Sequence, residues 1–374
     1  MVEYISMLSK RRAKEEEGKV VTARTAVKVE EERTAAALHE LVEEFFRTGR
    51  LVVLEAYERG LGRQTLSEVL HRKRAEDVKI EADDIGDGLW KALLSGSKED
   101  LQVLRKMLAI FGSVSLVSAV ERSIGKAQEL KRRHPILGKI RVHSEHGEYG
   151  SSDPLIICYI DPLDGSDEFR NRISGCWYIA VSFFSKALKP IAAAMLDIGL
   201  GEMFFVPSPR GDGKVHVKFF DSGRERFESP ISAKVLPKKG TILVYMGREN
   251  YLRSFLEVAS FVHDEAYEGL TLHGKGGSFI YAWLAAGRGL AYIMANEPVN
   301  EILPGIGFAK LMGCPVWVVW KDGRREQFDI ERHGKLARVD YLVVACNERF
   351  GENLLPKLKL PQPGWLLERE LVMV

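Results

Sequence analysis

The hydrophobic period changes near residue 135, and that change constrains the fold more than any other feature of the sequence. Before it, apolar side chains recur at helical spacing. In AAALHELVEEFFRTGRLVVLEAYERG, Leu38, Leu41, Val42, Phe45 and Phe46 share one face, which predicts a long amphipathic helix. A second helix is expected after Asp83, in DDIGDGLWKALLSG, and two more over 97–135 on either side of a Gly–Ser break. After residue 135 the apolar runs shorten. KIRVHSE reads as a strand, and LIICYID as a strand apolar enough to be buried on both faces. WYIAVSFF, KPIAAAMLDI, GEMFFVPSP and VHVKFF follow as strands, with a hairpin turn expected at Gly211–Lys214. Residues 36–233 are therefore expected to form an α+β domain, helices first and an antiparallel sheet second, with a helical insertion at about 97–135.

From about residue 234 the pattern alternates. TILVYMG, TLHG, LAYIMA, VWVVW and YLVVACN read as strands, interleaved with helices over ENYLRSFLEVASFV, SFIYAWLAAGR and PGIGFAKLMG. Such alternation predicts a layered α/β domain over 234–374, with the boundary at LPKKG. Residues 1–35 are rich in Lys, Arg and Glu and nearly free of aromatics, so a charged helix or tail is expected there. A chain of 374 residues is long enough for two such lobes.

Composition excludes several classes of function. The net charge is +2, which provides no field for a nucleic-acid polymer or an anionic membrane. FIYAWLAAGRGLAYIMA is interrupted by Arg288 and two glycines, so it reads as a buried helix followed by a strand and not as a membrane span. The N-terminus has no apolar signal core. Cys158, Cys176, Cys314 and Cys346 are widely spaced with no C-x-x-C pair, which suits a reducing compartment. A cytoplasmic protein is expected.

The chemistry concentrates in CYIDPLDGSDEF, Cys158–Phe169, where a buried strand runs into acid. Two carboxylates held about 4 Å apart repel by roughly 4 kcal/mol at an effective dielectric near 20. Asp161 and Asp164 would relieve that repulsion by holding a proton or by binding a hard divalent cation. If Asp167–Phe169 open a helix, the amides of Gly165 and Ser166 face outward as an anion-binding pair. The alternative is a polar turn whose acids complement a helix dipole. No EF-hand loop, H-E-x-x-H, zinc-deaminase or P-loop pattern fits the chain.

DPLDGS after an apolar strand resembles the D-P-[LI]-D-G-[ST] signature of the inositol monophosphatase superfamily, a group of Mg²⁺-dependent phosphatases that includes fructose-1,6-bisphosphatases. Flanking segments arrive in the family's order. SEHG at Ser144–Gly147 resembles its S-E-E segment, DVKIEAD its D-x-V-T-x-x-D, GGSFIYAWLAAG its G-S-A helix start, and NEILPGIGFAKLMGCPV its W-D-x-A-A-G box. The likeness spans roughly 36–358. It implies a layered α/β/α/β/α sandwich, a homodimer and hydrolysis of a small phosphate monoester, inositol monophosphate or fructose 1,6-bisphosphate. Glu145, Asp161, the Leu163 carbonyl, Asp164 and Glu301 would then hold two or three Mg²⁺. Asp83 would orient the Ser166 hydroxyl, which would help deprotonate an attacking water. The Gly165 and Ser166 amides would bind the phosphate, and Asp164 and Ser278 would contact the substrate.

The chain also departs from that pattern. Glu301 replaces the usual Asp, Asn300 stands where the Trp would be, His146 stands for a second acid, and Glu168 replaces a frequent Asn. The altered acid at Glu301 and the enlarged helical insertion at about 97–135 leave open a non-catalytic relative that binds a phosphorylated ligand or partner. KRRHP, Lys131–Pro135, is either a solvated helix end, the reading favoured here, or a site for a second substrate phosphate. Ser278 is equally readable as a helix N-cap, and Glu301 as an acid that caps the helix after it.

Overall fold

The computed structural model describes residues 2–59, 81–145, 147–170, 177–207, 212–245, 269–274, 276–296 and 298–358, without the side chains of 2–28, 81–83, 110, 167 and 170. The helix expected over 249–262, Gly211 of the expected hairpin turn, His146 and Cys176 lie outside the described residues. Helix α1 (Val2–Glu58) takes in both the charged N-terminal stretch and the amphipathic segment after it. It is followed by α2 (Glu81–Ser95), α3 (Lys98–Leu108) and α4 (Val114–Arg133). Ser97 and Ser113 cap α3 and α4 by accepting the amides of Asp100 and Leu116. Gly112, at φ 57°, supplies the left-handed residue that separates these two helices.

The first sheet has eight strands in the order β2-β1-β3-β4-β5-β6-β7-β8. They are β1 (Ile140–Ser144), β2 (Gly147–Gly150), β3 (Ile156–Asp164), β4 (Tyr178–Ser185), β5 (Pro190–Asp197), β6 (Glu202–Val206), β7 (Val215–Phe219) and β8 (Glu225–Glu228). Its ladders are antiparallel with one correction to expectation: β1 and β3 run parallel, because the short hairpin β1–β2 puts β2 at the sheet edge and seats β1 beside β3. The second sheet has six strands, in the order β10-β9-β11-β14-β12-β13. These are β9 (Lys239–Val244), β10 (Gly269–His273), β11 (Ala291–Ala295), β12 (Val316–Val319), β13 (Arg325–Gln327) and β14 (Tyr341–Ala345).

Alternating side chains sort the core into layers. Ile179, Val181 and Phe183 of β4 pack against α1–α4 with Leu41, Phe45 and Trp90. Their neighbours Tyr178, Ala180 and Phe184 face the opposite way. There they meet α6 (Phe279–Ala285) and α7 (Val299–Leu311), which also pack on Tyr292, Val318 and Leu342 of the second sheet. The far face of that sheet, with Ile293, Trp317 and Val343, is closed by Phe350 and Leu354 of α9 (Glu348–Leu354). Two short helices are also among the described residues, α5 (Ser166–Arg170) and α8 (Ile330–His333). The result is the α/β/α/β/α sandwich that the resemblance to the inositol monophosphatase superfamily implies. No described helix is long and apolar enough to cross a membrane.

One helix starts earlier than expected. The sequence places Pro304 at the first turn, but α7 begins at Val299 and carries Pro304 inside it. An interior proline removes a backbone donor and breaks a helix unless neighbouring groups satisfy the freed backbone. The buried Ser182 hydroxyl of β4 meets this helix at and just past the proline. It donates to the Pro304 carbonyl at 2.6 Å and accepts the Gly307 amide at 3.2 Å.

Candidate active site

The DPLD segment continues β3 instead of leaving it as a turn, and it carries an irregularity in the ladder. Asp161 lies opposite Ala180, yet Asp164 lies opposite Tyr178, so three steps on β3 match two on β4. An extra residue of this kind is a β-bulge, a position that tolerates the missing amide of Pro162. Its consequence is geometric. Side chains alternate across a strand, so residues three apart normally face opposite ways. The bulge restores Asp161 and Asp164 to one face, that of Ala180 and Tyr178, toward α6 and α7. Leu163 points the other way into the helical core, and Pro162 lies where a Cβ on Gly86 of α2 would be 3.0 Å from it.

Each aspartate gives one oxygen to a backbone amide. Asp161 Oδ1 accepts the Leu163 amide at 3.1 Å, and Asp164 Oδ2 accepts the Ser278 amide from the start of α6. The chain thus relieves part of the negative charge with N–H donors, beyond the proton and the cation considered from sequence. Ser278 occupies the N-cap position of α6, but its side chain makes no capping bond; its backbone meets Asp164 instead. Gly277 is at φ 117°, and a Cβ there would lie 2.8 Å from Asp164 Oδ2, so only glycine lets the loop approach this closely.

Gly165, at φ 92°, turns the chain directly into α5, whose first bond runs from the Phe169 amide to the Gly165 carbonyl at 2.9 Å. The Ser166 hydroxyl donates to the Leu163 carbonyl at 2.9 Å. That carbonyl is one of the oxygens expected to face a cation, and Ser166 is the hydroxyl assigned to Asp83. Asp83 itself lies in the first turn of α2 and its side chain is outside the described residues, as is that of Asp167.

The remaining acids sit on elements that border this face. Glu145 is exposed in the turn between β1 and β2, and the parallel register His143↔Tyr159 brings the end of β1 level with Asp161. Glu301 is half-buried in the first turn of α7, the helix that packs on β3, β4 and β5. Its amide bonds the Pro298 carbonyl at 3.2 Å, and an acid in a first helical turn is also favoured by the helix dipole.

Two residues that sequence reasoning missed hold these pieces in place. Tyr149 of β2 donates its phenol to Asp87 Oδ1 of α2 at 2.9 Å, tying the hairpin that carries Glu145 to the helix that carries Asp83. Burial first, and the Asp87 carboxylate second, push the Tyr149 phenol well above its ordinary value, so it remains a donor. Tyr292 of β11 accepts the Gly277 amide at 3.0 Å. The acidic D-D-I-G-D spacing offered a signal for Asp87; nothing local marks Tyr149 or Tyr292. The basic run is engaged elsewhere. Lys131 donates to the Leu94 carbonyl at the end of α2, and Arg133 pairs with Glu40 of α1 at 3.2 Å.

The donor atoms gathered here are hard oxygens, the kind a divalent cation such as Mg²⁺ prefers, so the chemistry of Asp161 and Asp164 fits such an ion. Among the described residues, however, no group of three or more His, Cys, Asp or Glu side chains is placed to hold a metal ion.

No protein-family model and no curated protein matches the chain. Solved structures do match. An extragenic suppressor protein suhB from Bartonella henselae superposes with a TM-score of 0.53 at 19% identity, covering 87% of this chain and 99% of its own. A hypothetical protein from Pyrococcus horikoshii, described as having similarities to inositol-1 monophosphatase, superposes with a TM-score of 0.52 at 14% identity, covering 87% of this chain and 100% of its own. At such identities the likeness establishes the fold.

Proposed function

For a chain that carries the inositol monophosphatase-like fold, we propose phosphatase activity toward a small phosphate monoester, inositol monophosphate or fructose 1,6-bisphosphate, as a divergent member of that superfamily. The observation that supports it best is the β3 bulge. It turns Asp161 and Asp164 to one face directly before the Gly165–Ser166 turn, with the Ser278 amide of the second lobe held against Asp164. Asp161, Asp164, the Leu163 carbonyl, Glu145 and Glu301 are the proposed holders of Mg²⁺. When bound, that ion supplies charge neutralisation at the phosphate and acidifies a water for in-line attack. The chain's own part is orientation. The Leu163 and Ser278 amides fix the two carboxylates, Ser166 steers the Leu163 carbonyl, and the amides of Gly165 and Ser166 are the proposed contacts for phosphate oxygens. A homodimer in the cytoplasm belongs to the same proposal.

The test is phosphate release from a panel of inositol monophosphates, fructose 1,6-bisphosphate and nucleotide 3′-phosphates with Mg²⁺. Asp164→Asn is expected to lower kcat/KM by about 100-fold or more, the scale of losing a directly acting group. A panel in which nothing turns over at any Mg²⁺ concentration removes the phosphatase reading. A second reading, a non-catalytic relative that binds a phosphorylated ligand, is favoured by one observation: the described acids do not assemble three at a time. It expects calorimetric binding of a phosphate ester with no release.

A further inference from the structure

We propose that Tyr292 is a positioning residue for the candidate site, acting through the Gly277–Ser278 loop on Asp164. The proposal rests on the functional reading above, in which Asp164 is a working carboxylate. Tyr292 is 1% exposed and is the second residue of β11. Its side of the strand faces the layer of α6 and α7, where its ring meets that of Tyr281 edge-on at 5.8 Å.

From there the phenol oxygen accepts the Gly277 amide at 3.0 Å, and the next amide, that of Ser278, donates to Asp164 Oδ2. Two consecutive N–H groups are thus held, one by the second sheet and one by the first. The loop between them has little room to move. A Cβ at Gly276 would collide with the Tyr245 ring, and a Cβ at Gly277 with the Asp164 carboxylate. On the far side, Phe279 stacks on Tyr178 with ring centroids 3.9 Å apart, and Tyr178 is the cross-strand partner of Asp164. The Tyr178–Phe279 stack fixes the start of α6, while the Tyr292 hydroxyl fixes the loop that enters it.

What this does for Asp164 is orientational. With Oδ2 bonded to an amide that cannot drift, the carboxylate plane is set, and its other oxygen keeps one direction. Hydrogen bonds that orient a ligating side chain typically contribute 10–100-fold to metal affinity or activity. A bond that orients the orienting amide is expected to act at the lower end of that range. A core hydroxyl whose role is confined to its own packing would not change how the site holds a cation.

The experiment compares Tyr292→Phe with the unmodified protein, and uses Tyr281→Phe as a control that removes a neighbouring buried hydroxyl but leaves the loop bonds in place. Amide hydrogen exchange at Gly277 and Ser278 is read first, then Mg²⁺ affinity by calorimetry, then the Mg²⁺ concentration for half-maximal turnover. The expected result for Tyr292→Phe is exchange at both amides faster by about tenfold and Mg²⁺ affinity weaker by about tenfold. The turnover rate at saturating Mg²⁺ should change far less, and Tyr281→Phe should move none of these. Unchanged exchange in Tyr292→Phe overturns the proposal. So does faster exchange with unchanged Mg²⁺ affinity, or an equal effect of Tyr281→Phe on the two amides. If the unmodified protein hydrolyses no phosphate ester, the phosphatase reading falls, and exchange and calorimetry alone decide the role of Tyr292.

Discussion

At the scale of single residues, the molecule repeatedly uses one buried polar atom to hold two distant backbone groups. Ser182 is the sharpest case. It is 0% exposed and bridges the Pro304 carbonyl and the Gly307 amide, so that a helix with an interior proline lies directly on β4. Gly307 permits the approach, since a Cβ there would strike Ser182 and Ala193, and Gly305 does the same beneath the Tyr281 ring. Removing the hydroxyl takes away the side-chain group that bonds both this carbonyl and this amide inside the core. Ser182→Ala is therefore expected to lower stability by about 1 kcal/mol, read as a lower urea midpoint at unchanged slope. A midpoint within experimental error of the parent would show that the helix does not depend on this bridge.

At the scale of elements, the docking of α1 on the first sheet has a built-in acid sensitivity. His39 of α1 and His216 of β7 share a ring-nitrogen hydrogen bond of 3.1 Å, which requires one imidazole to donate and the other to accept. Around them stand Glu43 of α1, Lys218 of β7 and Glu225 of β8, with Lys218 2.9 Å from Glu43 and 3.4 Å from Glu225. Burial first, and His216 second, hold His39 down from 6.5 to about 4; burial also lowers His216. A base whose folded value is depressed binds fewer protons when folded than when unfolded. Its contribution is fully present above the unfolded value of 6.5 and is lost as pH falls toward the folded value of about 4. The total is about 3 kcal/mol, with much of it expressed above pH 5, before most carboxylates titrate. Urea midpoints measured between pH 7 and pH 5 should fall in the parent and fall less in His39→Gln. Parallel pH profiles for the two would rule this pair out as the source.

At the scale of the whole molecule, the two sheets are joined by more than shared helices. Arg288, in the turn between α6 and β11, reaches the first sheet and pairs with Glu202 of β6 at 2.7 Å and Glu228 of β8 at 2.8 Å. Its guanidinium also lies 4.7 Å from the centre of the Phe204 ring. Glu202 is only 6% exposed in its side chain and keeps a second partner, Arg226, at 2.6 Å. Arg288→Ala would strand part of that buried charge and is expected to destabilise the fold by about 2 kcal/mol. Because the pair is half-buried, the loss should persist at 1 M salt, unlike that of an exposed ion pair. A loss that disappears in high salt would mark the contact as a surface one.

The sequence alone determined the periods and therefore the layers. Leu38, Leu41 and Phe45 announce the buried face of α1, and the apolar run LIICYID announces that β3 is covered on both sides, because burial imposes its pattern on neighbours within one element. DPLDGS likewise announced concentrated charge after a buried strand. Tertiary structure decided what that charge does. The bulge that turns Asp161 and Asp164 to one face is set by pairing with β4. The amide on Asp164 comes from 114 residues away, the hydroxyl on the Pro304 carbonyl from 122, and the partner of His39 from 177. Contacts at that separation leave no periodic trace in the chain. They exist because packed layers bring particular backbone amides and hydroxyls within 3 Å or so of groups that burial leaves in need of a partner.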